Sequence, residues 1–164
     1  EAAEVVLGHV AGVARLDDQR VAEEVGGGQG VVPAESIAGV ALIADGRRQN
    51  GVGQNPGRKV GGVGAEIALQ PVSGLVQPIV PGASMRGARQ NGFGSLADRT
   101  FQICAPNDSV CDAPPNVTNA LERAQGLIAA NGVHAQYASN SGVIDGTTAN
   151  QWVVGWARQL IDAA

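Results

Sequence analysis

The 164 residues carry a formal charge of −4, 44% apolar but only 3% aromatic residues, and 24 glycines. That length supports one domain with a real core. The acidic balance excludes the basic stripe of a nucleic-acid binder, and no run approaches the ~20 apolar residues of a transmembrane helix. With so few aromatics, the core must be built from Val, Ala, Ile and Leu, the composition of buried parallel strands and the helices packed on them.

In chain order, residues 1–14 read as a helix, with Ala3, Val6, Leu7, Val10 and Val13 on one face. His9 lies near its polar edge; a solvated helix histidine is preferred there to a second catalytic imidazole. Residues 16–25 are a charged segment. Gly26, Gly27, Gly28 and Gly30 follow, but no strand precedes them and no Lys-Ser/Thr follows, so they read as a loop and not a phosphate cradle. The apolar run from Ile37 to Asp45 is the clearest strand, buried on both faces. Asp45 stands at its C-terminal end, where α/β sites are made. It is an alternative triad acid, although capping the turn or pairing with Arg47 or Arg48 is the preferred role. Residues 46–64 are loop, 66–72 a short strand or edge segment, and 74–81 apolar and interrupted by proline. Leu75 to Val80 are assigned to core packing in preference to an acyl-binding lip. Ser84 sits in a Gly82–Gly87 stretch that resembles a nucleophile elbow at first glance. However, Arg86 occupies the place of the second glycine, and Pro78 and Pro81 spoil the preceding strand, so Ser84 is the less favoured nucleophile.

Residues 99–104 form the second strand and deliver Cys104, then Asp108, to its C-terminal edge. Two cysteines this close, with no second pair, do not make a zinc site. A small disulfide loop between Cys104 and Cys111 is preferred to two free thiols; it places the protein in an oxidising compartment and contributes roughly 2–3 kcal/mol. Asn119 and Glu122 make a capping-box pattern for a helix with Leu121, Ala124, Leu127 and Ile128 on its apolar face, ending at Asn131-Gly132. His134 follows on a loop. Residues 147–164 form the last helix, with Val153, Trp156, Ala157 and Leu160 on one face. An acid that orients an imidazole is two-thirds of a nucleophilic hydrolase triad. Asp112 is the nearest rival to Asp108. The third member, on a sharp strand-to-helix turn, is expected before this stretch.

Cys104-x3-Asp108-x2-Cys111, followed by Val133-His134-x2-Tyr137, resembles the acid–disulfide–histidine end of the cutinase family. Residues 37–45, 43–49 (IADGRRQ), 92–100 (GFGSLADRT) and 151–161 (QWVVGWARQLI) look more specifically like the mycobacterial cutinase-like envelope lipases. The resemblance covers nearly the whole chain. It implies an α/β-hydrolase-like three-layer sandwich with a central parallel sheet, and hydrolysis of carboxylic esters, with lipid, phospholipid and thioester substrates in the cell envelope. It carries the catalytic acid onto Asp108, the general base onto His134 and the disulfide onto Cys104 and Cys111, and it implies no cofactor and no metal.

The family's G-Y/F-S-x-G elbow, just ahead of the segment matching residues 1–14, is absent here. The chain is therefore expected to be the C-terminal portion, residues 1–164, of a single hydrolase domain. Its N-terminal strands and serine would lie in a companion segment upstream. Loss of a triad serine costs about a million-fold in rate, so the chain alone is expected to be inactive. The expected partners are a lipid or fatty-acyl ester substrate and, peripherally, membrane or envelope lipid, in a secreted or envelope location. The competing class is a non-catalytic envelope binding or structural module; a binding module has no need of the paired Asp and His.

Overall fold

A computed structural model of the chain describes residues 4–9, 34–128 and 132–163. The scaffold is a parallel sheet of three strands, β1 (Glu4–His9), β2 (Ile37–Ile43) and β3 (Thr100–Ile103), in the order β1-β2-β3. Val6 pairs with Val40, Val40 in turn with Thr100, and Ile43 with Ile103. Ala44 extends the β2–β3 ladder by donating to the Ile103 carbonyl at 2.9 Å. The outer edge of β3 is closed by a single loop residue, Gln54, which donates to Thr100 O and accepts from Gln102 N, both at 2.7 Å. That edge is thereby kept from presenting Thr100 O and Gln102 N unpaired.

β2 is the hydrophobic centre, buried on both faces as its unbroken apolar run requires. Ile37, Val40 and Leu42 pack with Phe93 and Leu96 of a 3-10 segment (Gly94–Arg99 and its preceding residue). Ala41 and Ile43 pack on the opposite face with Tyr137, Val143, Ile144 and Val153. The last of these belongs to the C-terminal helix, Ala149–Asp162. Sheet, helix layer and 3-10 layer together give the expected α/β class with a central parallel sheet.

The described residues also form two single-turn helices, α1 (Ala65–Ala68) and α2 (Ser73–Val76), then α3 (Ala120–Ile128) and α4, the C-terminal helix. The start of α4 is held by a capping box. Gln151 N donates to the Thr148 hydroxyl and Thr148 N donates to the Gln151 side chain, both at 3.2 Å. Phe101 meets Trp152 and Trp156 edge to face at 5.1 and 5.3 Å, and the two indoles stack on each other. The scarce aromatics are thus concentrated where α4 crosses the sheet. Gly39 makes that crossing possible, because a Cβ there would lie 2.5 Å from Trp156 Cζ2.

Several expectations are corrected. Of residues 1–14, read as a helix, residues 4–9 are strand β1, and the remainder lies outside the described residues, as do Gly26 to Gly30. The cause is tertiary: β2 presents a backbone edge that must be hydrogen-bonded when buried, and Val5 and Val6 suit a strand as well as a helix. Residues 66–72, read as a strand, are helical, with a 3-10 turn over Gln70–Val72 after α1. Ala65, Ala68 and Leu69 are all buried at helical spacing, and Pro71 stands in the first turn of the 3-10 segment, where its missing N–H leaves no donor unpaired. Asn119 has φ 54, the left-handed region, and so does not take the extended backbone of an N-cap residue. Its neighbour Thr118 is instead held through N–H to Asn116 Oδ1 at 3.0 Å. Leu121, assigned to the apolar face of α3, is 53% exposed, whereas Ala124 is fully buried. Among the described residues no helix is long and apolar enough to cross a membrane.

Gly39→Ala pushes a methyl group into the Trp156 ring, an overpacking change expected to cost about 1–3 kcal/mol. Thermal unfolding should show a lowered Tm; an unchanged Tm would mean that α4 does not seat on β2 in this way.

Candidate active site

β3 ends at Ile103 and runs directly into a tight loop closed by the Cys104–Cys111 disulfide, with 5.9 Å between Cα atoms and both cysteines fully buried. Asn107 turns the loop through φ 64, a left-handed conformation that Asn tolerates better than most residues. That turn directs Asp108 inward, where it is completely buried. A buried carboxylate demands donors, and the loop and the turn at residues 134–137 supply them. Val110 N–H donates to Oδ1 at 2.8 Å, the Tyr137 hydroxyl to Oδ2 at 2.6 Å, and His134 Nδ1 lies 3.2 and 3.1 Å from Oδ1 and Oδ2. Burial pushes the Asp108 carboxyl up, but the hydrogen bonds from His134, Tyr137 and Val110 outweigh it and hold the group below the usual carboxylate value.

His134 opens a 3-10 turn, His134–Gln136, and its side chain is 12% exposed. One ring nitrogen is thus committed to a buried acid while the ring reaches the surface. Asp108 and His134, the two residues onto which the cutinase resemblance carries the acid and the base, stand in hydrogen-bond contact in the fold.

The acid loop is carried by residues 46–64, a segment that sequence reading assigned only to loop. Buried Arg48 donates through Nε to Cys111 O at 2.7 Å, through Nη2 to Gly62 O, and through Nη1 to Asn50 Oδ1 at 3.0 Å. Burial lowers the guanidinium from its ordinary value, opposed chiefly by the Asp112 carboxylate. Ala65 N donates to Val110 O, and Val63 and Ala113 exchange a pair of hydrogen bonds, all at 2.8 Å. The close approach needs glycine: a Cβ on Gly62 would stand 2.5 Å from Ala113 O. The repeated glycines were the available signal for this cradle.

Asp112, the rival acid, braces the loop. It accepts from Gly62 N at 2.7 Å and from Asn107 N at 2.9 Å. Asp45 takes the structural role preferred for it: it accepts Arg47 N at 3.0 Å, capping the turn, and forms a buried ion pair with Arg89 at 2.7 Å. Only the fold brings Arg89 to Asp45, across 44 positions; its guanidinium also lies over the Phe93 ring. Ser84 accepts from Arg86 Nε at 2.9 Å in irregular chain after α2, not on a strand-to-helix elbow. His9 lies on β1, its backbone paired with Ile43. Val76 and Val80 are buried with Leu69, Met85 and Ala124, as core packing requires, while Leu75 faces outward. The cysteines ligate each other, and among the described residues no group of three His, Cys, Asp or Glu is placed to hold a metal. A cleft of about 270 Å³ opens beside the acid loop between Ala65, Leu69, Ser109, Ala113, Arg123 and Leu127.

No family model matches the sequence. Over 158 residues the chain is 60% identical to a protein of Corynebacterium glutamicum named Carboxylesterase Culp6 homolog; the match takes in 96% of this chain and 50% of the relative. The chain therefore spans half the length of this curated relative.

Asp108 is held below its unfolded-state value of 3.8, so the stability it contributes is fully present above that value and is lost as pH falls through and below it. Urea midpoints measured from about pH 6 down to about pH 2 should fall less steeply for Asp108→Asn than for the unmodified chain. Equal slopes would mean that the native carboxylate is not selectively stabilised.

Proposed function

We propose that this chain is the acid–base portion of a cutinase-like serine ester hydrolase, a single domain whose nucleophilic serine is supplied by a segment outside these 164 residues. The observation that carries the proposal is a wholly buried Asp108 with both carboxylate oxygens within 3.2 Å of His134 Nδ1. The 60% identity to a protein named as a carboxylesterase, of which this chain spans half, supports the same reading. Asp108 holds His134 in the tautomer with the proton on Nδ1, so that Nε2 takes the proton of the attacking serine. Nε2 then returns that proton to the leaving alcohol or thiol, while Asp108 stabilises the imidazolium formed between the two steps. In this reading the triad chemistry needs no cofactor.

Ala65, Leu69, Ala113, Pro114 and Leu127 give the cleft beside the acid loop an apolar wall that suits a fatty-acyl or lipid-like ester, phospholipids and thioesters included, next to the polar Asn107, Ser109, Asp112 and Arg123. The disulfide that encloses Asp108 suits an oxidising, extracytoplasmic setting, secreted or in the cell envelope. Contact with envelope lipid would bring such a substrate to the cleft.

In the complete natural protein, His134→Ala should lower turnover of a p-nitrophenyl ester by about 10⁴-fold or more with little change in thermal stability. Peptide mapping after fluorophosphonate treatment should place the label on a serine outside this chain. Retained turnover would overturn the role of His134, and a label on Ser84 would overturn the placement of the nucleophile.

A further inference from the structure

Tyr137 is buried, and its hydroxyl is clasped between two parts of the acid loop. It donates to Asp108 Oδ2 at 2.6 Å and accepts from Ala105 N–H at 2.9 Å, with Cys111 Sγ 3.3 Å away. The ring reaches this position because it follows His134 by three residues through a 3-10 turn, where side chains three apart are eclipsed. The two rings stand edge to face, 6.2 Å between centroids and 84° between planes. One turn therefore sends two donors to one carboxylate. The triad chemistry uses the imidazole and leaves the phenol without a part.

A carboxylate's terminal torsion is broad and roughly two-fold, so a single donor does not fix its plane. Here Val110 N–H holds Oδ1 and Tyr137 holds Oδ2, one on each oxygen, and His134 Nδ1 lies nearly midway between them. The charged or titratable groups that face the phenol are Asp108, His134 and, at longer range, Arg48. Burial first, and the adjacent Asp108 charge second, push the phenol well above the ordinary tyrosine value, so it stays a donor at any working pH.

We propose that Tyr137 is a positioning residue for ester hydrolysis: its hydroxyl, anchored on the Ala105 amide, fixes the plane of Asp108 so that both oxygens face His134. The proposal rests on Asp108 and His134 being the acid and the base. A tyrosine buried only for packing needs no bond to a charged oxygen; this one makes its shortest hydrogen bond there.

The test uses the complete natural protein with Tyr137→Phe and, separately, 3-fluorotyrosine incorporated at position 137, a more acidic phenol of nearly the same shape. Two quantities are read: kcat and KM on a short-chain p-nitrophenyl ester, and the titration of the Asp108 carboxyl carbon by ¹³C NMR. Tyr137→Phe should lower kcat roughly tenfold, the loss of one hydrogen bond to a charged group, with KM little changed. It should also move the carboxyl midpoint up toward the usual carboxylate value, and 3-fluorotyrosine should move that midpoint the other way. An unchanged midpoint in the 3-fluorotyrosine protein overturns the proposal, whether or not Tyr137→Phe folds; so does a folded Tyr137→Phe protein with wild-type kcat. Turnover retained by His134→Ala would instead bring down the acid–base reading itself, so the two failures are distinct.

Discussion

A carboxylate wholly removed from water is the constraint on which the rest of this structure turns. Burying an unpaired charge is costly enough that the group would take up a proton. Asp108 avoids this by collecting an amide, a phenol and an imidazole on its two oxygens. Each donor has to be brought to one point, and much of the local architecture can be understood as doing so. The disulfide closes the loop around the acid, Asn107 bends it inward through a left-handed turn, and a 3-10 turn carries His134 and Tyr137 on one side. Arg48 then holds the loop from behind through the Cys111 carbonyl.

The sheet supplies the rigidity that such a site needs. β2 is packed between the Phe93–Leu96 layer and α4, and β3, hydrogen-bonded to it, leads directly into Cys104. The position of the acid is therefore set by the most buried part of the chain, while His134 approaches from a connection nearer the surface. That division suits the proposed acid–base chemistry, in which the fixed member would orient the one that meets substrate.

Much of this was legible in the sequence. The run at 37–45 announced a strand buried on both faces, since no polar residue interrupts it before Asp45. The cysteine spacing was a local pattern with a chemical reason, whereas Asp108 and His134, 26 positions apart, were paired through the resemblance to the cutinase family. What was not legible depends on distant parts of the chain. Residues 4–9 have a spacing that fits a helix and became a strand because β2 needed an edge partner. Arg89 found Asp45, and Arg48 found Cys111, through contacts that no local window contains. Residues 65–69 carried a helical burial pattern too short to stand out from an extended reading. The H-x-x-Y spacing of His134 and Tyr137 was visible, but its meaning required the 3-10 turn that aligns the two rings.

The most direct test of the central claim is ¹H–¹⁵N NMR of the protein with ¹⁵N-labelled histidine. A far-downfield proton bonded to His134 Nδ1 is expected in the unmodified protein and in Asp112→Asn, and is expected to be lost in Asp108→Asn. If that proton is absent, or survives in Asp108→Asn and disappears in Asp112→Asn, then Asp108 is not the group that holds His134.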